Sequence, residues 1–84
     1  MELELGDELD LHHFHPSDTW LVVNEFIKLS VEKGYGEIRI VHGKGKSVKK
    51  NIVRNIIENH PDVSGYRDDG PNWGATVVYL KKDI

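Results

Sequence analysis

Apolar and polar residues alternate through LDLHH, residues 9 to 13, so Leu9 and Leu11 share one face of a predicted short strand while Asp10 and His12 share the other. His15-Pro16 then opens a helix, because proline is tolerated at a first helical position whose N–H would be unpaired anyway. Asp18 follows in the first turn, where negative charge suits the helix dipole. Trp20, Val23, Phe26, Ile27 and Val31 recur at spacings of three and four, which predicts a core-facing stripe containing Trp20, and Gly34 closes the helix. EIRIVHG, residues 37 to 43, is β-branched and reads as a second strand. Ser47 caps a second predicted helix whose apolar positions Val48, Ile52, Val53, Ile56 and Ile57 step by three and four until His60-Pro61. VSGYR is a third strand, DDGPNWG a turn-rich loop, and ATVVYL a fourth strand.

The order β-α-β-α-β-β predicts an α/β two-layer sandwich, a mixed four-stranded sheet with two helices packed on it. At 84 residues the chain is a single domain with little room for a deep enclosed cavity. Residues 1 to 8 form an acidic N-terminal lead-in or linker, and residues 9 to 84 the domain. Such a lead-in suits a piece of a longer protein, monomeric as a domain.

The absence of cysteine excludes disulfides, thiolate chemistry and Cys-based zinc sites. No apolar run approaches a membrane span and the acidic start is unlike a signal peptide, so the expected setting is cytoplasmic, with no membrane partner. The formal net charge is −3, but its distribution matters more. Five of the 14 acids lie in the first ten residues, and six of the 11 bases lie between Arg39 and Arg54.

In a β-α-β unit the first two strands run parallel, so their C-terminal ends share an edge, where ligands bind in open α/β folds. That edge receives Asp10, His12 and His13 from the first strand and His42, Gly43, Lys44 and Gly45 from the second. Glycines admit a phosphate close to the backbone, a helix N-terminus adds partial positive charge, and Lys44 and Lys46 add full charges. HGKGKS is not a Walker A motif, and alone it reads equally as a tight turn with solvated lysines. Lys49, Lys50 and Arg54 on the next helix extend the basic surface, or form its ordinary solvated face. Asp10 orienting His12, with His42 as acid or phosphate contact, is a candidate general base; a hydrogen-bonded surface network is the plainer alternative. His42 can equally be a turn histidine satisfied by a backbone carbonyl. A metal shared by Asp10, His12 and His42 is conceivable, although alternation places His12 and His13 on opposite sides of a strand. Trp73 either stacks on an unpaired base or folds over the sheet edge. Tyr35 and Tyr66 read as packing residues.

LDLHH, RIVHGKG, NHPDV and GATVVYL occur in the order and spacing of the Smr (small MutS-related) domain, which the chain resembles over residues 9 to 81. The resemblance implies a β-α-β-α-β-β sandwich that binds DNA or RNA, single-stranded or branched, as a stand-alone protein or as part of a larger one. Some members are endonucleases that nick DNA or cleave RNA. It implies that Asp10 and His12 are the acid and histidine of the first motif, His42, Gly43, Lys44 and Gly45 the HGKG loop, and Gly74 and Ala75 the GAT element. This chain departs in three places. His13 replaces a glycine, Lys46-Ser47 replaces a Thr-Gly-like pair, and Trp73 stands where a second glycine is common.

The expected function is therefore nucleic-acid binding with endonuclease activity. Asp10, His12 and His42 are the catalytic candidates, and Mg2+ or Mn2+ the expected helper. Candidate nucleic-acid contacts are His13, Gly43, Lys44, Gly45, Lys46, Ser47, Lys49, Lys50, Arg54, Trp73 and Gly74. Two alternatives stand beside it: binding without cleavage, and a protein-interaction module whose basic edge meets an acidic partner.

Overall fold

The computed structural model describes residues 7–43, 48–69 and 74–81. It contains β1 (Glu8–Asp10), α1 (Pro16–Glu32), β2 (Glu37–Val41), α2 (Val48–Asn59), β3 (Val63–Asp68) and β4 (Ala75–Leu80), in that order. The sheet order is β1-β2-β4-β3; β1 and β2 are parallel, and the other two pairings are antiparallel. This is the expected two-layer α/β sandwich. Leu9, Ile38, Ile40, Val78 and Leu80 turn one sheet face into the core, where they join Val22, Val23, Phe26 and Ile27 of α1 and Val53, Ile56 and Ile57 of α2.

Both ends of α1 are fixed locally. His15 is the N-cap: its Nδ1 accepts the Ser17 N–H, and Pro16 occupies the first turn. At the other end Gly34 takes φ 81° and its N–H reaches the Val31 carbonyl, while the Tyr35 N–H reaches that of Ser30. That pattern is a Schellman motif, and the left-handed conformation is why a glycine stands there.

The structure corrects the position of Trp20, which is 62% exposed. The buried stripe of α1 runs through Thr19, Val22, Val23, Phe26, Ile27 and Ser30, two of them small and polar. At about 100° per residue, Trp20 lies roughly a quarter-turn from the centre of that stripe. Spacing by apolar residues alone recruited Trp20 because it passed over Thr19 and Ser30.

The opposite sheet face carries a cross-strand row, Glu8–Arg39–Val77–Arg67. Arg39 donates to Glu8 (2.7 Å) and to Asp69 (2.6 Å), and Arg67 Nε donates to the Tyr79 hydroxyl (2.8 Å). Val77 stays only 4% exposed in its place in the register between the two arginines.

Phe26 has no exposed surface, so Phe26→Ala is expected to cost about 3–5 kcal/mol. Trp20→Ala should cost less than about 1 kcal/mol. Urea unfolding of both variants checks the pair, and a large loss at Trp20 would return that residue to the core.

Candidate functional site

Asp10, Val41 and Ala75 share one row of the register, at the C-terminal ends of β1 and β2 and the start of β4. The pairing continues one step past each strand. The Leu11 N–H donates to the Val41 carbonyl (2.9 Å), and the N–H groups of His42 and Gly43 both donate to the Gly74 carbonyl (2.7 and 2.9 Å). Gly43 takes φ 104°, a conformation that side-chain-bearing residues rarely adopt, so the chain turns away from the sheet there. Its N–H is spent on Gly74, so whatever anion-binding capacity this loop has must come from other groups.

The first turn of α2 reaches the same edge. Lys49 Nζ donates to the carbonyls of Leu11 (2.8 Å) and His12 (3.4 Å), which ties α2 to the segment after β1. The structure thus brings Asp10, His12, His42, Gly43, Lys49 and Gly74 to one edge.

The segment after β1 departs from the predicted strand. β1 ends at Asp10, whose Oδ1 accepts the backbone N–H of His12 (2.8 Å) and bends the chain into a turn. Asp10 therefore orients the His12 backbone in this structure, not the imidazole. His12 and His13 are both exposed, and their rings meet edge to face at 5.5 Å and 81° instead of lying on opposite faces of a strand.

His42 is buried, with 5% of its surface exposed. Its Nδ1 lies 3.1 Å from the Gly43 carbonyl and its Nε2 2.8 Å from Thr76 Oγ1. A carbonyl can only accept, so Nδ1 carries the proton; in the neutral ring Nε2 then accepts from the Thr76 hydroxyl. Burial is the main influence lowering the His42 pKa. The Gly43 carbonyl pulls it up, the Lys50 cation pushes it down, and the smaller influences of Asp68 (upward) and Arg54 (downward) oppose each other. His42 is thus a neutral pin between β2 and β4, and the carbonyl partner raised as an alternative in the sequence is present.

Of the other basic candidates, Arg54 donates to Asp68 Oδ1 (3.0 Å) and lies 5.0 Å over the Tyr66 ring, so it braces α2 against β3. Lys50 lies close enough to His42 to affect its titration. Lys44, Gly45, Lys46, Ser47 and Trp73 fall outside the described residues. Among the described residues no three His, Cys, Asp or Glu side chains cluster to hold a metal, and the conceivable Asp10–His12–His42 trio is not assembled. Tyr35 and Tyr66 pack against the core as expected, and the Tyr66 hydroxyl donates to Glu58.

Sequence reasoning passed over Thr76 and the anchoring role of Lys49. Thr76 shares a strand face with Val78 and Leu80, and a polar residue at a core-facing position signals a buried hydrogen-bond partner. Lys49 gave no such signal, because its partners are backbone carbonyls distant in sequence.

Lowering the His42 pKa means the unfolded chain binds that proton more readily than the folded one. Its contribution to stability is complete above the ordinary value of 6.5 and is lost as the pH falls through it, levelling off below the lowered folded value. The melting temperature should therefore drop between about pH 7.5 and about pH 5.5, and less steeply in His42→Asn. Parallel slopes for the two proteins would remove His42 as the source.

The Smr domain family model matches residues 9–81. Proteins named endonuclease MutS2 from Shouchella clausii and Staphylococcus saprophyticus are 36% and 31% identical over 77 residues, covering 88% of this chain. The chain spans about 10% of the length of these relatives. Among solved structures, the Smr domain of Thermus thermophilus MutS2 superposes with a TM-score of 0.81 at 26% identity, covering 88% of this chain and 96% of that one. YdaL, a stand-alone small MutS-related protein from Escherichia coli, gives 0.76 at 28% identity, covering 96% of this chain and 69% of that one. Matched by the family model over residues 9–81, and with a four-stranded sheet and two helices that match these structures, this chain belongs to the Smr domain family.

Proposed function

We propose that the domain binds nucleic acid through this edge and cleaves a phosphodiester bond there. The observation that carries the reading is the meeting of the segment after β1, the end of β2 and the first turn of α2, held by the Lys49–Leu11 and Gly74 hydrogen bonds. The MutS2 relatives are named endonucleases, which supports the class of chemistry. Lys44 and Lys46, in the stretch between β2 and α2, neutralise the phosphate and displace counterions. Asp10 fixes the turn that leaves His12 exposed; the His12 imidazole takes the proton of the attacking oxygen as it bonds to phosphorus, and the leaving oxygen, as its P–O bond breaks, takes a proton from water. His42, buried and neutral, positions Gly43 and the start of the loop instead of meeting the substrate. The described residues do not form a resident metal site, so no step is assigned to Mg2+ or Mn2+.

A second reading, binding without cleavage, is favoured by the inward turn of His42, which takes one of the three candidate catalytic side chains off the surface of the edge. Single-stranded and branched DNA and RNA substrates separate the two readings. Under the first, His12→Ala should lower the cleavage rate about 10²–10⁴-fold with little change in affinity; intact strands throughout would leave the second.

The three lysines divide by role. Lys44→Gln combined with Lys46→Gln should reduce the slope of log affinity against log salt by about 1.4 on single strands, about 0.7 per lost phosphate contact. Lys49→Met should leave that slope unchanged while lowering the melting temperature by several degrees, about 4–8 °C for each kcal/mol lost. An unchanged slope in the double variant would move the phosphate away from this loop.

A further inference from the structure

We infer that the groove between α1 and α2 is a subsite for an unpaired nucleobase, with Trp20 as its stacking platform; this rests on the nucleic-acid-binding reading above. Two adjoining hollows of about 300 and 310 Å³ share Trp20, Asn55 and Ile56. Each is large enough for a small planar ligand. Ile52 and Ile56 line the apolar side, and Asn24, Asn55 and Asn59 supply amides. None of the lining side chains is acidic. Trp20 is 62% exposed, a large indole left in water beside a groove that covers only part of it.

The polar groups are held in place. The Asn24 amide donates to the Trp20 carbonyl (2.8 Å) and that of Asn59 to the Asn55 carbonyl (3.0 Å), which fixes both amide planes against the helices. Each keeps an oxygen acceptor and a second N–H, and the exposed Asn55 adds a third amide. An indole face with amide donors and acceptors beside it, His60 and Pro61 also lining the second hollow, matches a flat heteroaromatic base better than an aliphatic peptide side chain.

The groove also begins about one helical turn from the edge proposed to take the phosphate. Ile52 lies one turn along α2 from Lys49, whose ammonium holds the carbonyls of Leu11 and His12. Trp20 lies in the second turn of α1, just after the segment carrying His12 and His13. A single strand whose backbone crosses the edge can therefore lay a base between the helices. A paired base could not enter, so the subsite selects for single-stranded segments.

The test compares short single-stranded oligothymidylate and oligouridylate with an abasic strand of equal length, using fluorescence anisotropy and the side-chain NMR resonances of the 84-residue chain. The Trp20 indole N–H and Asn55 amide signals should shift with the base-bearing strands and stay still with the abasic one. The base-bearing strands should bind about five- to a hundredfold tighter, the range expected for stacking one base. Trp20→Ala should erase that preference while still binding the abasic strand, and Asn55→Asp should weaken it in a protein of unchanged melting temperature. Equal affinity for base-bearing and abasic strands, or an unmoved indole signal, overturns the subsite alone and turns the groove towards a protein partner. If none of the strands binds, the nucleic-acid reading fails and this inference with it.

Discussion

Leu11 is where the parts of this domain are fastened together. Its side chain is fully buried, its N–H pairs with the Val41 carbonyl beyond the last row of β1, and its own carbonyl accepts both the Lys49 ammonium and the Phe14 N–H. β1 has only three residues and lies at the sheet edge, so its ladder alone would hold it weakly. One residue satisfies the sheet, the core, the turn and α2 together. Because the Lys49 link is a charge-assisted hydrogen bond to a carbonyl, it fixes position as well as adding energy. The placement of Asp10 and His12 relative to α2 follows from it.

A second constraint works across the sheet. The Gly74 carbonyl takes two N–H groups from the end of β2, while the buried His42–Thr76 contact joins the same two strands through side chains. Backbone and side-chain ties together make the end of β2 rigid before the chain leaves the sheet at Gly43. His42 thereby acts through geometry. On the proposed function, a neutral imidazole with both nitrogens satisfied is a poor acid or base, whereas the exposed His12 keeps that capacity.

Element order, parallel pairing and the shared edge were all legible in the sequence, because β-branched runs, helix caps and motif order point the same way. What was not legible has definite physical causes. Trp20 was assigned to the core because a hydrophobic residue at helical spacing normally packs, but the stripe of α1 is completed by Thr19 and Ser30 instead. The imidazole pairing expected of Asp10 became a backbone hydrogen bond, since a carboxylate two residues before an N–H can close a turn more cheaply than it can hold a ring in place. Charge alone places Arg54 with the candidate phosphate contacts, and charge alone does not show that Tyr66 and Asp68 on β3 also engage it.

These reassignments bear on how an acidic protein can bind a polyanion. Of the six bases clustered between Arg39 and Arg54, Arg39 and Arg54 hold acids and Lys49 holds carbonyls. Those three make internal contacts, Lys50 lies close enough to His42 to affect its titration, and Lys44 and Lys46 are the pair in the strand-to-helix stretch that the proposed function gives to phosphate. A small number of phosphate contacts gives a shallow dependence on salt and only modest backbone affinity. The remaining binding energy must then come from interactions that salt does not screen, of which base stacking is the strongest available to a single strand. Under the proposed function, the groove beside Trp20, one turn of α2 from the Lys49 tether, is where this fold would offer such an interaction.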